Sequence, residues 1–256
     1  MTKLSKAYKM LTKLSPARKF NNYTMINHFE SQTPSNTWPQ EWKTVYYKAY
    51  PRFDQIILPL PSSKRFDLFQ ALSSRISIRN FSCKPVSLKQ LSNLLYYSVG
   101  LKRILVKTES ESRMYPSAGA RYPLEIYLFI FNVQNLENGV YHYHLKTHSL
   151  ELIPSENMKS QALKQVNQEW LKESGFFIIP TAVFDRTEVK YKDRGYRHTM
   201  TEYGHIAQNV YLIGTALGLG VCSIGGFIDE GFNKILDLDG RTESIVGLIA
   251  IGSKKQ

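Results

Sequence analysis

Acidic residues are scarce in this chain: 21 Asp and Glu stand against 33 Lys and Arg, leaving a net charge of +12 over 256 residues. That imbalance points to an acidic partner, whether nucleic acid, an anionic surface, a phosphorylated cofactor or an acidic peptide. Cysteine is nearly missing. Cys83 and Cys222 form no C-x-x-C and no Cys/His cluster, which fits a reducing compartment and argues against any metal site of the zinc type. No apolar run is a good transmembrane segment. The nearest, residues 212–227, is broken by Gly214, Gly218, Gly220, Gly225 and Gly226 and reads as a buried helix, a turn and a short strand. Residues 1–20 hold six Lys/Arg and no acid and lack the apolar core of a signal peptide. A soluble, cytoplasmic protein is expected. Repeats and low-complexity tracts are absent. So are a G-x-G-x-x-G after a strand, a Ser/His/Asp or Cys/His arrangement, and the mix of aromatics and base-reading side chains of a nucleic-acid module.

What is present is a globular composition rich in aromatics, with 16 Tyr and 13 Phe. In the first segment Leu4, Tyr8, Leu11 and Leu14 fall at helical spacing, compatible with a short basic amphipathic helix or a solvated arm. Residues 15–65, punctuated by Pro34, Pro39, Pro51, Pro59 and Pro61, read as irregular. Trp38, Trp42, Tyr46, Tyr47 and Tyr50 could pin them onto a core. Helices are expected over 66–74 and 87–99, the second opened by Ser87 with Gln90 three residues on and closed before Gly100. Residues 102–113 read as charged and turn-like. Strands are expected over 124–132, 140–145 and 149–153, with Asn138-Gly139 between the first two. A helix over 157–172, a buried strand over 176–184, a long helix over 199–217, a short one over 229–236 and a strand over 245–251 complete the chain. Lacking regular βαβ repetition, this order predicts an α+β domain with helices packed on a mostly antiparallel sheet.

Four constellations carry chemistry. Arg75-Ile76-Ser77-Ile78-Arg79, if extended, puts Arg75, Ser77 and Arg79 on one face. Two guanidiniums around a hydroxyl make an oxyanion cradle, or else a solvated edge. Pro116-Ser117-Ala118-Gly119-Ala120 is small enough for a backbone to approach a flat ligand, or is an ordinary turn. The stretch 218–227, with its paired Gly225 and Gly226, could aim backbone amides at a ring system or simply turn from helix to strand. Residues 190–198 crowd four cations, two phenols and an acid after the buried strand. Read plainly they are a basic loop. Read chemically, a partly desolvated Lys190 among cations is pushed toward its neutral form and makes a proton-transfer pair with Tyr191. His205 and Asn209 share a helical face and read as polar groups satisfied by packing.

In this order RISIRNF (75–81), YPSAGARYPLE (115–125), GVYHYHLKTHSLEL (139–152), KYKDRGYRHTMTEYGHIAQNVYL (190–212) and GLGVCSIGGF (218–227) resemble the SagB-type dehydrogenases of the FMN-dependent nitroreductase superfamily. That group includes the oxidases that make thiazoles and oxazoles in ribosomally synthesised peptides. The resemblance implies a nitroreductase-like fold over residues 66–256, preceded by an N-terminal extension over 1–65. It implies a homodimer with FMN at its interface. Arg75, Ser77, Arg79 and Lys254, followed by Lys255, would hold the FMN phosphate. Ser117, Ala118 and Gly119, often from the partner subunit, would lie against the flavin, with Gly225 and Gly226 near its ring. Lys190 and Tyr191 would be catalytic. A precursor peptide would be the substrate and a cyclodehydratase a further partner, with no nucleic acid and no membrane involved. Arg121 departs from the pattern, and a cation there is expected near the flavin or at the pocket mouth, able to meet a substrate carboxylate. The alternatives are an NAD(P)H-dependent reductase of nitro, quinone or dehydroamino-acid substrates in the same fold, and a scaffold that has lost its flavin.

Overall fold

Strict two-residue alternation in the central strands fills two cores, one on each face of a single sheet. In a computed structural model of the protein, which describes residues 15–26, 34–62, 65–104 and 111–255, β2 (Leu124–Ile130) is buried at every position. Leu124, Ile126, Leu128 and Ile130 join one core, while Tyr127 and Phe129 join the other. Its neighbour β5 (Phe176–Val183) divides in the same way, with Phe176, Ile178 and Ala182 against Phe177 and Ile179. Each such fully buried apolar side chain is worth about 1.5–3 kcal/mol.

The remaining strands are β1 (Gln55–Ile57), β3 (Gly139–His144), β4 (Ser149–Ile153), β6 (Leu219–Ile224), β7 (Glu243–Ile245) and β8 (Leu248–Ser253). They pair throughout as antiparallel neighbours in the order β1-β4-β3-β2-β5-β8-β6, with β7 also on β5. Pro180 lies inside the central strand without breaking it. It falls between the stretch of β5 paired with β8, which ends at Ile178, and that paired with β7, which begins at Thr181. Its missing N–H therefore removes no ladder bond on that side.

Helices cover both faces. α4 (Leu88–Val99) buries Leu91, Leu94, Leu95 and Val99, at one-face helical spacing, and is opened by a reciprocal Ser87–Gln90 capping box. With α7 (Arg194–Ala216) it covers the first core. α5 (Met158–Lys164) and α8 (Asp229–Ile235) cover the second. The others are α1 (Pro16–Tyr23), α2 (Gln40–Lys43), α3 (Leu68–Ser74) and α6 (Asp185–Tyr191). The α+β class and the mostly antiparallel sheet agree with the sequence reading.

Four local expectations are corrected. Residues 15–62 are more regular than read: they contain α1, α2 and β1, and β1 extends the sheet through Ile56 opposite Leu150. The helix expected over 157–172 stops at Lys164, where Val166 bridges to Phe227 and a 3-10 turn (Glu169–Glu173) takes over. The last strand is split around Val246-Gly247. Residues 190–198 are the end of α6, a two-residue turn and the start of α7 rather than a loop. The helical spacing of residues 4–14 and most of the turn-like stretch from 105 lie outside the described residues. Among the described residues no helix is long and apolar enough to cross a membrane.

Candidate active site

Lys190 and Tyr191 end α6, which leaves β5 directly through Phe184. Lys192, at φ 50° and ψ −145°, stops the helix. Gly195 then lets α7 cross closely, since a Cβ there would stand 3.0 Å from the Glu188 backbone. The cations that follow hold the N-terminal segment. Arg194 donates to the Thr24 carbonyl at 2.5 Å and Arg197 reaches the same oxygen at 3.4 Å. Tyr196 packs between Phe20 and Phe184. These three side chains, which the sequence left without a role, bind α1 to α7.

The turn after Pro116 meets the Lys-Tyr pair inside one chain. Gly119 is left-handed at φ 59°, and a Cβ on it would lie 2.5 Å from the Tyr191 hydroxyl and 3.1 Å from Lys190 Nζ. Only a residue without a side chain fits between that turn and the pair. Ala120 and Tyr122 are also left-handed, at φ 53° and 48°, which is strained for residues with a Cβ.

Arg121 is the peg of this arrangement, and here the expectation of a ligand-facing cation fails. The side chain is 1% exposed. Nε donates to the Arg186 carbonyl at 2.9 Å, Nη1 to Trp42 at 2.6 Å, and Nη2 to Glu41 and Thr44, both at 2.7 Å. Four of its five N–H donors go to backbone carbonyls, so it ties α6 to the N-terminal segment. That segment in turn shields Lys190. Lys190 Nζ lies 3.6 Å from the centre of the Trp38 ring and 5.8 Å from that of Trp42, whose indole N–H donates to the Val189 carbonyl at 3.1 Å. Burial first, then the charge of Arg121, push the Lys190 ammonium below its ordinary value. The Trp38 face works in the opposite direction, because an aromatic face favours the cation. Burial pushes Tyr191 up against the opposing charge of Arg121.

A buried charge network fastens α6 to the sheet. Arg186 Nη1 meets Glu125 at 2.5 Å, Glu125 accepts from His142 at 3.0 Å, and the other imidazole nitrogen meets Glu151 at 2.7 Å. Burial alone would lower His142, but the two carboxylates outweigh it and raise its pKa. Burial would raise Glu125; the His142 hydrogen bond and the charges of Arg186 and Arg113 bring it down to about 2 instead.

The second cluster lies at the β6 edge of the sheet. The Ile78 N–H donates to Val221 at 2.9 Å, and Phe81 bridges to Lys254, bringing Arg75, Ser77, Arg79 and Lys254 to one edge. Arg75 lies over the Tyr211 ring, 5.3 Å from its centre, and the Ser77 and Tyr211 hydroxyls bond at 3.0 Å. The two isoleucines of the motif diverge: Ile78 packs on the second core and Ile76 is 61% exposed. Gly225 and Gly226 leave β6 exposed, and nothing stands within 4 Å of a Cβ on Gly225. Among the described residues no carboxylate lies within ion-pair distance of Arg75, Arg79 or Lys254. Uncompensated cations around a hydroxyl, beside open backbone, fit a phosphate-bearing flavin.

The two clusters border different flanks of α7. His198, with its ring against Tyr191 at 4.9 Å, and Glu202, which faces Ser117, lie on one flank of α7. Tyr211, nine residues past Glu202 and so roughly two and a half turns on, faces the other flank. The sequence reading missed Glu202, Tyr211 and the contact of Trp38 with Lys190. Only Glu202 left a trace, as an acid in the buried stripe Thr199, Glu202, Ile206, Val210.

The sequence pattern of the nitroreductase family matches residues 72–253. A protein of Methanocaldococcus jannaschii named as a nitroreductase, MJ1384, is 37% identical over 72% of this chain and 91% of its own length. The microcin B17-processing protein McbC of Escherichia coli is 34% identical over 52% of this chain, and the match spans 51% of McbC. The fold is shared with a nitroreductase of Anabaena variabilis, at TM-score 0.74 and 23% identity over 93% of this chain and 47% of that one. It is shared too with a chain of the E. coli microcin synthetase McbBCD complex with truncated pro-MccB17 bound, at TM-score 0.61 and 23% identity over 94% and 92% of the two chains.

Proposed function

The chain belongs to the nitroreductase family, and on that premise we propose that it is an FMN-dependent dehydrogenase that oxidises peptide thiazolines or oxazolines to thiazoles or oxazoles. The observation that carries this reading is the Lys190–Tyr191 pair seated on the Gly119 turn, a base and a phenol where hydride delivery to a nitro or quinone acceptor would need neither. The likeness to McbC, named for microcin B17 processing, supports the same substrate class.

In this reading residues 66–256 form the flavin domain. Arg75, Ser77, Arg79 and Lys254 hold the FMN phosphate, and Ser117, Ala118, Gly119, Gly225 and Gly226 border its ring. FMN held there would supply the hydride acceptor, with dioxygen as the final oxidant. Lys190, whose proton is held less tightly because of burial and the charge of Arg121, takes the ring proton at the former α-carbon. Tyr191 orients the ring and shares that proton, and the Trp38 and Trp42 rings keep water from the amine.

Two copies of the chain complete each site. The phosphate cradle and the Lys-Tyr pair lie on opposite flanks of α7, so a flavin held by one cradle meets the pair of the other protomer. An apolar face supports the pairing: Leu68, Phe69 and Leu72 of α3, with Ile76, are 58%, 77%, 48% and 61% exposed, which a lone soluble chain would rarely leave uncovered. A precursor peptide and a cyclodehydratase that makes its azolines complete the set of partners, and the excess positive charge suits an acidic leader segment.

The test is aerobic incubation of the flavin-loaded protein with an azoline-containing peptide, read by mass spectrometry. Loss of one H2 per ring supports the reading. NAD(P)H consumption with no azoline oxidation would replace it with a nitro or quinone reductase, the reading that the name of the M. jannaschii relative favours.

A further inference from the structure

Behind the Ser117–Gly119 turn is a cavity of about 290 Å³ whose wall includes Ser117, His198, Thr201, Glu202 and His205. Its chemistry is concentrated in Glu202. This residue is 2% exposed, yet its Oε1 has no hydrogen-bond partner among the described residues. An unpartnered buried carboxyl is costly unless it is neutral or meets a mobile donor such as water. Burial pushes this carboxyl up to about 7, against the opposing Ser117 hydroxyl and the Arg113 charge. The groups around it come from both packed elements. Ser117, Tyr115 and Arg113 face it from the loop side, Arg113 donating to the Tyr115 hydroxyl at 3.0 Å. His198 and His205 share the cavity wall from its own helix.

His198 links this cavity to the Lys-Tyr pair. One side of its ring packs on Tyr191 at 4.9 Å, and the ring also borders the cavity. Burial, then Arg194 and Arg197, lower its pKa, so the imidazole is neutral near pH 7 and has a free lone pair. Lys190 is shielded by Trp38 and Trp42 on the side of the N-terminal segment, and the cavity reaches the pair through His198, whose ring packs on Tyr191.

We propose that Glu202 is the proton-holding group of this site, receiving through His198 the proton that Lys190 removes from the substrate and passing it to water in the cavity. The inference rests on the reading of Lys190 as the base. The carbon–hydrogen bond breaks with its proton going to the Lys190 amine. The ammonium proton then passes by way of the Tyr191 hydroxyl to the His198 imidazole, from there to the Glu202 carboxylate, and from the resulting carboxylic acid to water, which restores the amine. Glu202 never touches the substrate; it acts through His198.

The experiment compares the flavin-loaded wild type with Glu202→Gln, which keeps the side-chain shape. Two readouts are needed: the pH profile of azoline oxidation, and an infrared titration of the protonated-carboxyl band in the resting protein. The variant should keep its flavin and lose about tenfold in kcat. Its pH profile should lose the ionisation near 7, and added formate should restore part of the rate. The wild type should show a carboxyl band that disappears as pH rises through about 7 and is missing from the variant. A variant whose pH profile runs parallel to that of the wild type, or a resting protein with no carboxyl titrating near neutrality, would overturn the proposal. Failure of the underlying reading looks different: Lys190→Ala would retain full activity, or the wild type would oxidise no azoline.

Discussion

The two flanks of α7 are built on opposite plans. On one, the reactive groups are fixed by the protein itself. Arg121 spends its donors on four carbonyls, Arg186 ties α6 to the buried Glu125–His142–Glu151 chain, and Gly119 fits against the Tyr191 hydroxyl. On the other, Arg75, Arg79 and Lys254 stand at a sheet edge with no acid partner among the described residues. The first flank is organised before any ligand arrives, as proton transfer at a fixed distance demands. The second keeps its charges uncommitted for an anion to collect. In the proposed reading, chemistry and cofactor capture are thereby separated along a single helix.

Lys190→Ala should break the first flank alone, lowering azoline oxidation by about 10²–10⁴-fold with flavin content unchanged; full activity in this variant would remove Lys190 from its role. Arg121→Leu strikes the same flank through its frame. Stranding buried carbonyls costs about 3 kcal/mol, a fall of roughly 6–12 °C in Tm, and calorimetry together with rate measurements should show stability and turnover dropping together. Arg75→Ala addresses the second flank. Losing one charge-assisted contact should weaken FMN binding by roughly 10–100-fold, seen by fluorescence titration, with an unchanged Tm for the flavin-free chain. Tyr191→Phe should slow turnover by about tenfold and leave flavin affinity as it was.

The gentlest probe is pH. Glu125 sits at about 2 in the fold against 4.5 free, so its contribution is complete above 4.5 and is lost as pH falls toward 2. His142 is raised above 6.5, so its contribution is complete below 6.5 and is lost as pH rises through the raised value. Thermal stability should therefore crest between pH 4.5 and 6.5 as far as this network decides it. Glu125→Gln should flatten the acid limb, and Arg75→Ala should leave that limb in place. If both variants changed it equally, the two flanks would not be independent.

Local rules made much of this legible in the sequence. Ser87 and Gln90 announce a capping box, and unbroken apolar runs announce the central strands, because each signal lies within a few residues. The α6–α7 junction was misread as a loop. Its cations looked solvated, and what binds Arg194 and Arg197 is a carbonyl at Thr24, distant in sequence. Arg121 was misread for the same reason, since three of its four acceptors lie in residues 41–44. The motifs at 75–79, 117–119 and 190–191 could be placed by resemblance. That α7 keeps them on opposite flanks follows only from the helix phase of Glu202 against Tyr211.

That phase has a genetic consequence. If each working centre draws its cradle from one protomer and its base from the other, Lys190→Ala and Arg75→Ala chains are each impaired alone for different reasons, the second when FMN is limiting. A mixed dimer of the two inherits both lesions at one centre and neither at the other. Co-expression of the two impaired alleles should therefore return half of the centres in each heterodimer to full function, whereas two lesions on the same flank should never complement.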